Sequence, residues 1–240
     1  MQETLNGLEI VLAGGSGGLG SATARLLADE GARLVVSYHS NAARAAQLQD
    51  CATVLRADLT RAEDRTRLLN AAPNLYGLVV LSGDPSRVKD PLEFDTVARH
   101  AQEVNYLGPI QLAREAAARM RSAGTPGSIV LFSTMQAVSL FPGSTAYAAA
   151  KASLQHAARV LAKECRGKDN IRVNVIAPGA TAAGMAEASI ASGKYNHLID
   201  QNLIPRFGRA IDIARAVRFF LQPDNYITGQ VLSVDGGVTL

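Results

Sequence analysis

"LEIVLAGGSGGLGSATARLLADEG", residues 8–31, carries three signals in succession. A short apolar run (8–13) passes into a glycine-rich turn (13–20), and a helical pattern follows from Leu19. A strand that feeds through glycines into a helix is the first half of a βαβ unit. In such a turn the missing side chains let backbone approach a pyrophosphate. The helix N-terminus adds free N–H groups and a partial positive charge. The glycines fit two overlapping spacings: Gly15, Gly17 and Gly20 match G-x-G-x-x-G, while Gly14, Gly18 and Gly20 match G-x-x-x-G-x-G. The place of the turn, between first strand and first helix, favours dinucleotide binding over a tight turn that merely packs helix on sheet.

The rest of the chain repeats the pattern. Further apolar runs occur at 32–37, 53–57, 77–82, 128–133, 171–177 and 230–235. Helical patterns occupy 19–31, 44–49, 65–72, 113–124, 147–165 and 211–223. Seven short apolar strands, most separated by a helix, predict a parallel sheet buried on both faces. The expected fold is α/β: a Rossmann-like, doubly wound, seven-stranded parallel sheet with helices on both faces. One domain spanning 1–240 is expected. Residues 178–209 read as a long loop, and a loop of that length suggests a substrate lid. The lid is rich in small residues and gives no sign of a deep aromatic pocket.

Composition narrows the function. Apolar residues make up 48% of the chain, enough for a large core, and 24 basic residues nearly balance 21 acidic ones. That balance argues against nucleic-acid binding, which needs a concentrated basic face. Cys51 and Cys165 have no metal-ligand spacing, so no metal site is expected. A reduced pair is the default, although a disulfide stays open. No run approaches eighteen apolar residues, so no membrane span is expected. "MQETLNGLEIVLAGG" lacks the basic start and cleavage site of a leader, which points to the cytoplasm.

The end of the second strand bears on the cofactor. Folds that bind NAD often place a carboxylate there for the ribose 2′-hydroxyl. Here the chain reads "VVSYHSNAAR" (35–44), without an acid. Ser37, Ser40 and Asn41 are small polar groups, and Arg44 follows. This predicts NADP(H) over NAD(H). Arg44 reads equally as a solvated helix residue.

"STAYAAAKASL" (144–154) sets Tyr147 and Lys151 four residues apart, on one helix face. An ammonium near a phenol favours the phenolate and lowers its pKa, and a phenol so tuned can exchange a proton at a carbonyl. A core tyrosine beside a snorkelling lysine would give the same letters.

Taken together, the glycine turn, the tyrosine–lysine pair and the strand order resemble the short-chain dehydrogenase/reductase family over essentially the whole chain. "ADLT" (57–60) resembles the family's adenine-side motif, "VNYLG" (104–108) the helix bearing a catalytic asparagine, and "IVLFST" (129–134) the strand ending at the catalytic serine. "VNVIAPG" (173–179) resembles the approach to the nicotinamide, and "YITGQVLSVDGG" (226–237) the C-terminal signature. The resemblance implies a catalytic set of Tyr147, Lys151, Thr134 and Asn105. It implies NADPH held by Gly14, Ser16, Gly17, Gly18, Leu19, Gly20, Ser37, Ser40, Asn41, Arg44, Asp58, Leu59, Ser82, Gly83, Tyr147, Lys151, Pro178, Gly179 and Thr181. In the same implication Lys151 binds the ribose and depresses the Tyr147 pKa, and Asn105 holds a water that links Lys151 to solvent.

Three positions depart from the family. Thr134 stands thirteen residues before the tyrosine, in place of serine. Ser133 beside it should point to the other side of the strand. Val80, Leu81, Ser82 and Gly83 replace N-N-A-G, so Ser82 or other groups must fix that loop. Ala183 replaces a common threonine, and Thr181 is the substitute.

The implied activity is reduction of a ketone by hydride transfer. The branch most resembled, with "PRFGR" (205–209), is 3-oxoacyl-[acyl-carrier-protein] reductase. Arg119, Arg121, Arg166 and Lys168 are candidate contacts for an acidic carrier. Sugar, steroid or polyol substrates, and a non-catalytic dinucleotide sensor or scaffold, are the alternatives. A homotetramer is implied, and the alanine-studded helix from Tyr147 suits an interface.

Overall fold

The computed structural model describes residues 4–240; the first three, which open the N-terminal stretch read above, lie outside the described residues. In chain order the elements begin β1 (Glu9–Ala13), α1 (Gly18–Asp29), β2 (Arg33–Tyr38), α2 (Ala42–Ala46), β3 (Ala52–Arg56), α3 (Ala62–Asn70) and β4 (Leu75–Val80). There follow α4 (Phe94–Gln102), a π-helical turn (Glu103–Leu107), α5 (Gly108–Ala123), β5 (Gly127–Phe132) and α6 (Thr145–Glu164). The chain ends with β6 (Ile171–Pro178), α7 (Glu187–Ala191), α8 (Asn196–Asp200), α9 (Ala210–Leu221) and β7 (Val231–Val234).

All seven strands pair in parallel, in the order β3-β2-β1-β4-β5-β6-β7. Both faces are covered, and side-chain alternation divides each strand between them. Ile10 and Leu12 join Leu34, Val36, Val79 and Val130 under α1 and α9, against Leu27 and Phe220. Val11 and Ala13 join Val35, Leu78, Val80 and Ile129 on the other face, against Leu112, Ala116 and Leu154 of α5 and α6. Continuous apolar strands are therefore required, and the sequence supplies them. The expected doubly wound fold is the observed one. Every strand falls within two residues of its predicted run.

The winding reverses between β1 and β4. There the chain leaves in opposite directions along the sheet and opens a crevice at the carboxyl ends of the strands. Residues 178–209 border this crevice, and they are more than a loop. They hold a short 3₁₀ turn (Gly184–Ala186), α7 and α8. Their base is closed by a parallel bridge between Thr181 and Gly208, with Ala182 N–H donating to the Gly208 carbonyl at 2.8 Å. Ala180, Tyr195, Leu198 and Ile204 form a small core with Met135. The five-residue helices are too short to show a 3.6-residue periodicity, so the sequence reads as loop.

Candidate active site

Two adjoining clefts occupy the crevice and share Leu19, Leu81, Ser82 and Met185. The larger, about 870 Å³, follows the glycine turn. Gly14 has φ +74°, and a Cβ there would lie 2.7 Å from the Ser82 nitrogen. A Cβ on Gly18 would lie 2.6 Å from the nitrogen of Gly184, so the lid leans directly on the turn. Gly14, Ser16, Gly17, Gly18, Leu19 and Gly20 border this cleft, with Ser40 and Asn41 after β2, Asp58 and Leu59 after β3, and Ser82 and Gly83 after β4. Ser37 borders it too but is almost fully buried, and its Oγ accepts from Gly14 N–H at 3.0 Å. The hydroxyl thus fixes the turn. Burial works against ionisation of Asp58, yet donation from the Thr60 O–H (2.7 Å) and N–H (2.9 Å) outweighs it and holds the carboxyl below its ordinary range.

Arg44 is a correction. It lies on the exposed side of α2 and does not border the cleft. Its backbone N–H donates to Asn41 Oδ1 at 2.9 Å; Asn41 caps the helix and directs Arg44 outward.

The second cleft, about 360 Å³, holds the reactive groups. Thr134 leaves the end of β5, Tyr147 and Lys151 descend from the first turns of α6, and all three border it. Pro178, Gly179 and Thr181 close it from the end of β6. Ser133 also touches it, but its hydroxyl is engaged with α6. It donates to the Lys151 carbonyl at 3.3 Å and accepts from Gln155 Nε2 at 2.8 Å. Thr134 Oγ1 accepts a long 3.3 Å bond from Gln136 N–H, and its hydroxyl is directed at the Tyr147 phenol, so the two groups stand side by side at the cleft. Phe141 and Tyr195 line the wall as well, so the cleft is more aromatic than the lid's composition suggested.

The electrostatics overturn one expectation. Burial pushes the Tyr147 phenol up to about 12, the Asp84 charge adds to this, and only the Thr134 hydroxyl works the other way. Lys151 does not lower it. Burial pulls the Lys151 ammonium down to about 8, and its Nζ donates to the Phe132 carbonyl at 2.9 Å and the Ser82 carbonyl at 3.4 Å. The ammonium is aimed at the strand ends, beside Ser82, which borders both clefts.

Asn105 is fully buried in the π-helical turn. Its Oδ1 accepts from Asp84 N–H at 2.9 Å, while Nδ2 donates to the Asp84 carbonyl at 3.0 Å and to Ser86 Oγ at 3.3 Å. Its amide therefore locks the loop after β4, the task expected of Ser82. The hydroxyl of Ser82 is instead buried with no partner. That orphaned oxygen, the cradle at Gly14 and Gly18, and the ammonium of Lys151 together fit a dinucleotide. A bound dinucleotide would cover polar groups that the protein leaves unsatisfied.

Arg119, Arg121, Arg166 and Lys168 are not near either cleft. They sit at the C-terminal ends of α5 and α6, which run antiparallel to the strands and end at the opposite edge of the sheet. Arg119 bonds Asn70, and Arg121 pairs with Asp169. Besides Lys151, the cations at the cleft are Arg87 and Lys194, which the sequence reading missed because they lie in separate loops. Among the described residues no helix is long and apolar enough to cross a membrane, and no acidic, His or Cys group is arranged to hold a metal.

Comparison with known proteins agrees with the architecture. The family model described as enoyl-(acyl carrier protein) reductase matches residues 13–239. The 3-oxoacyl-[acyl-carrier-protein] reductase of Rickettsia felis is 32% identical over 247 residues, covering 98% of each chain. A solved structure described as a short chain dehydrogenase/reductase family protein superposes with a TM-score of 0.81 at 32% identity, covering 100% of both chains. A 7α-hydroxysteroid dehydrogenase complexed with NADH and 7-oxo glycochenodeoxycholic acid superposes with a TM-score of 0.87 at 30% identity, covering 98% of this chain and 95% of that one.

Proposed function

The chain belongs to the short-chain dehydrogenase/reductase family of oxidoreductases, and from that premise we propose that it reduces a ketone to a secondary alcohol with NADPH, the ketone being a 3-oxoacyl thioester. The observation that carries the reading is the meeting of Tyr147, Thr134 and Lys151 in a cleft continuous with the glycine cradle. A bound nicotinamide supplies the hydride. Tyr147, protonated at neutral pH, donates its proton to the carbonyl oxygen as that oxygen gains charge. Thr134 donates a second hydrogen bond to the same oxygen and orients the carbonyl. Lys151 binds at the ribose side, where the carbonyls of Phe132 and Ser82 hold its ammonium.

NADPH is favoured because no carboxylate borders the cleft at the end of β2, where Ser40 and Asn41 leave room for a 2′-phosphate. The chain assembles as a homotetramer in this reading. Leu232, Tyr226 and Phe219 form an exposed apolar set around β7 and α9, and Val160 is exposed on α6.

The experiment follows reduced-nicotinamide absorbance with NADPH and an acetoacetyl thioester, in the native protein and in Tyr147→Phe. The variant should lose about 10²–10⁴-fold in rate while binding NADPH as before. A variant rate above about a tenth of the native one removes Tyr147 from the acid role.

A further inference from the structure

The smaller cleft is apolar over most of its wall, but its rim carries charge of one sign. Arg87 borders it from the loop after β4, and Lys194 borders it from the lid, between α7 and α8. Among the described residues no aspartate or glutamate borders it. Among the described residues Arg87 has one hydrogen-bond partner, the hydroxyl of Ser189 on α7, at 3.2 Å. Lys194 rests its ammonium 5.7 Å from the centre of the Tyr195 ring. Among the described residues neither cation lies within salt-bridge distance of a carboxylate, whereas elsewhere arginines are paired, as in Arg206–Asp212 and Arg218–Glu30. The third cation, Lys151, is already bound to two carbonyls. Asp84, on the loop that also carries Arg87, borders the other cleft, and its carboxylate accepts from Ser86 N–H at 2.7 Å and from Ser86 Oγ at 3.0 Å.

An arginine with one neutral partner keeps most of its N–H fork free, and that fork matches a carboxylate or phosphate. The two cations come from different segments of the chain. Arg87 belongs to the fixed rim, anchored by the Asp84 loop that Asn105 locks; Lys194 belongs to the lid. Arg87 already meets the lid through Ser189, so an anion held by both cations would add a second link between the loop after β4 and the lid.

We propose that the substrate is an anionic ketone, with its carbonyl oxygen at Tyr147 and Thr134 and a carboxylate or phosphate held by Arg87 and Lys194 at the mouth. This deepens, and rests on, the ketoreductase reading above. Two sources supply the charge: the carboxylate of a free keto acid, or the phosphate on the pantetheine arm of a thioester.

The test compares kcat/KM within two pairs. One pair is 5-oxohexanoate and its methyl ester. The other is the acetoacetyl thioesters of 4′-phosphopantetheine and of uncharged N-acetylcysteamine. The anionic member of at least one pair should be preferred by about tenfold or more, the size of a charge-assisted hydrogen bond. The preference should weaken with added salt, because both cations reach solvent. It should vanish in an Arg87→Gln/Lys194→Gln double variant. The pair that shows the effect identifies the source of the charge. Rates within threefold inside both pairs, or equal losses on charged and neutral members in the double variant, overturn the proposal. Calorimetric binding of the corresponding alcohols to protein holding NADPH, a combination that cannot react, reads the anion site without turnover. Binding that depends on Arg87 and Lys194 without ketone reduction sinks the ketoreductase reading and keeps the anion site. Reduction of neutral ketones with no such binding does the reverse.

Discussion

Replacing Lys151 with methionine should stabilise the cofactor-free protein at neutral pH while it destroys the site. The ammonium is buried and, among the described residues, pairs with no carboxylate, and its pKa falls from 10.5 to about 8. The 2.5-unit difference, at about 1.4 kcal/mol per unit, means that keeping the charge costs the folded state about 3 kcal/mol below pH 8. Methionine fills similar space without charge. It forfeits the bonds to the Phe132 and Ser82 carbonyls, about 1 kcal/mol each. The net gain is about 1 kcal/mol, or a rise in Tm of about 2–4 °C for a chain of this size. The pH dependence gives a sharper test. A group whose folded pKa is depressed favours the native state fully above its unfolded pKa and loses that advantage as pH falls through the folded one. The native protein therefore gains stability between about pH 8 and pH 10.5, and Lys151→Met does not. By pH 10 the desolvation cost has dropped to about 1 kcal/mol, below the value of the two lost bonds, so the order should reverse near pH 9. Thermal unfolding followed by circular dichroism at pH 7 and pH 10 checks this. A variant less stable at pH 7, or an unchanged difference at the two pH values, would show that the ammonium is better solvated than its surroundings imply.

Other outcomes follow from the same geometry. NADPH should surpass NADH in kcat/KM, and Ser40→Asp should reverse the preference by repelling the 2′-phosphate; Ser37→Asp is the wrong test, because Ser37 is buried and holds Gly14. Better efficiency with NADH in the unchanged protein would remove the argument from the missing acid. Thr134→Ala should lose most activity, Thr134→Ser little, and Ser133→Ala less than Thr134→Ala, since the Thr134 hydroxyl stands beside Tyr147 at the cleft while the Ser133 hydroxyl is engaged with α6; steady-state rates that fall in the opposite order would reassign the hydroxyl. Light scattering at micromolar protein should give about four times the 25.3 kDa chain mass, and a stable active monomer would reject the tetramer.

The sheet was legible because both of its faces are buried. A strand under helices on both sides has to be a continuous apolar run, and each run is bounded by polar or glycine residues. α4 was not legible. Its sequence, FDTVARHAQ, packs on α6 through small residues, with Ala101 as its one fully buried residue, so its apolar stripe is narrow. Part of the site was written locally. Tyr147 and Lys151 share a helix face by spacing alone, and Thr134 follows from strand alternation. The rest depends on long-range packing. Nothing near Asn105 in sequence says that its amide will grip Asp84, twenty-one residues earlier. Arg87 and Ser189 meet across 102 residues, so the charged rim exists only once the lid has folded. The misplacement of Arg119 and Arg166 was avoidable, since a helix that crosses back between parallel strands must end at the edge away from their carboxyl ends.

The high pKa of Tyr147 bears on direction. A general acid must arrive protonated, and a phenol pushed up to about 12 holds its proton at any cellular pH. Reduction can therefore begin from the site as it stands. Oxidation of an alcohol needs the phenolate, which the surrounding apolar wall and the Asp84 charge both oppose. To run that way the site would have to recruit a positive charge to the phenol, and Lys151 is held back by two carbonyls. A ligand that competed for either carbonyl could release the ammonium, so direction would become a property of the loaded site. The pH profile should then separate the two directions. Reduction should stay level through neutral pH and fall only as Lys151 loses its proton above about pH 8. Oxidation should rise with pH over the same range as the phenolate becomes accessible. Profiles of equal shape in both directions would mean that Tyr147 is not the group exchanging the proton.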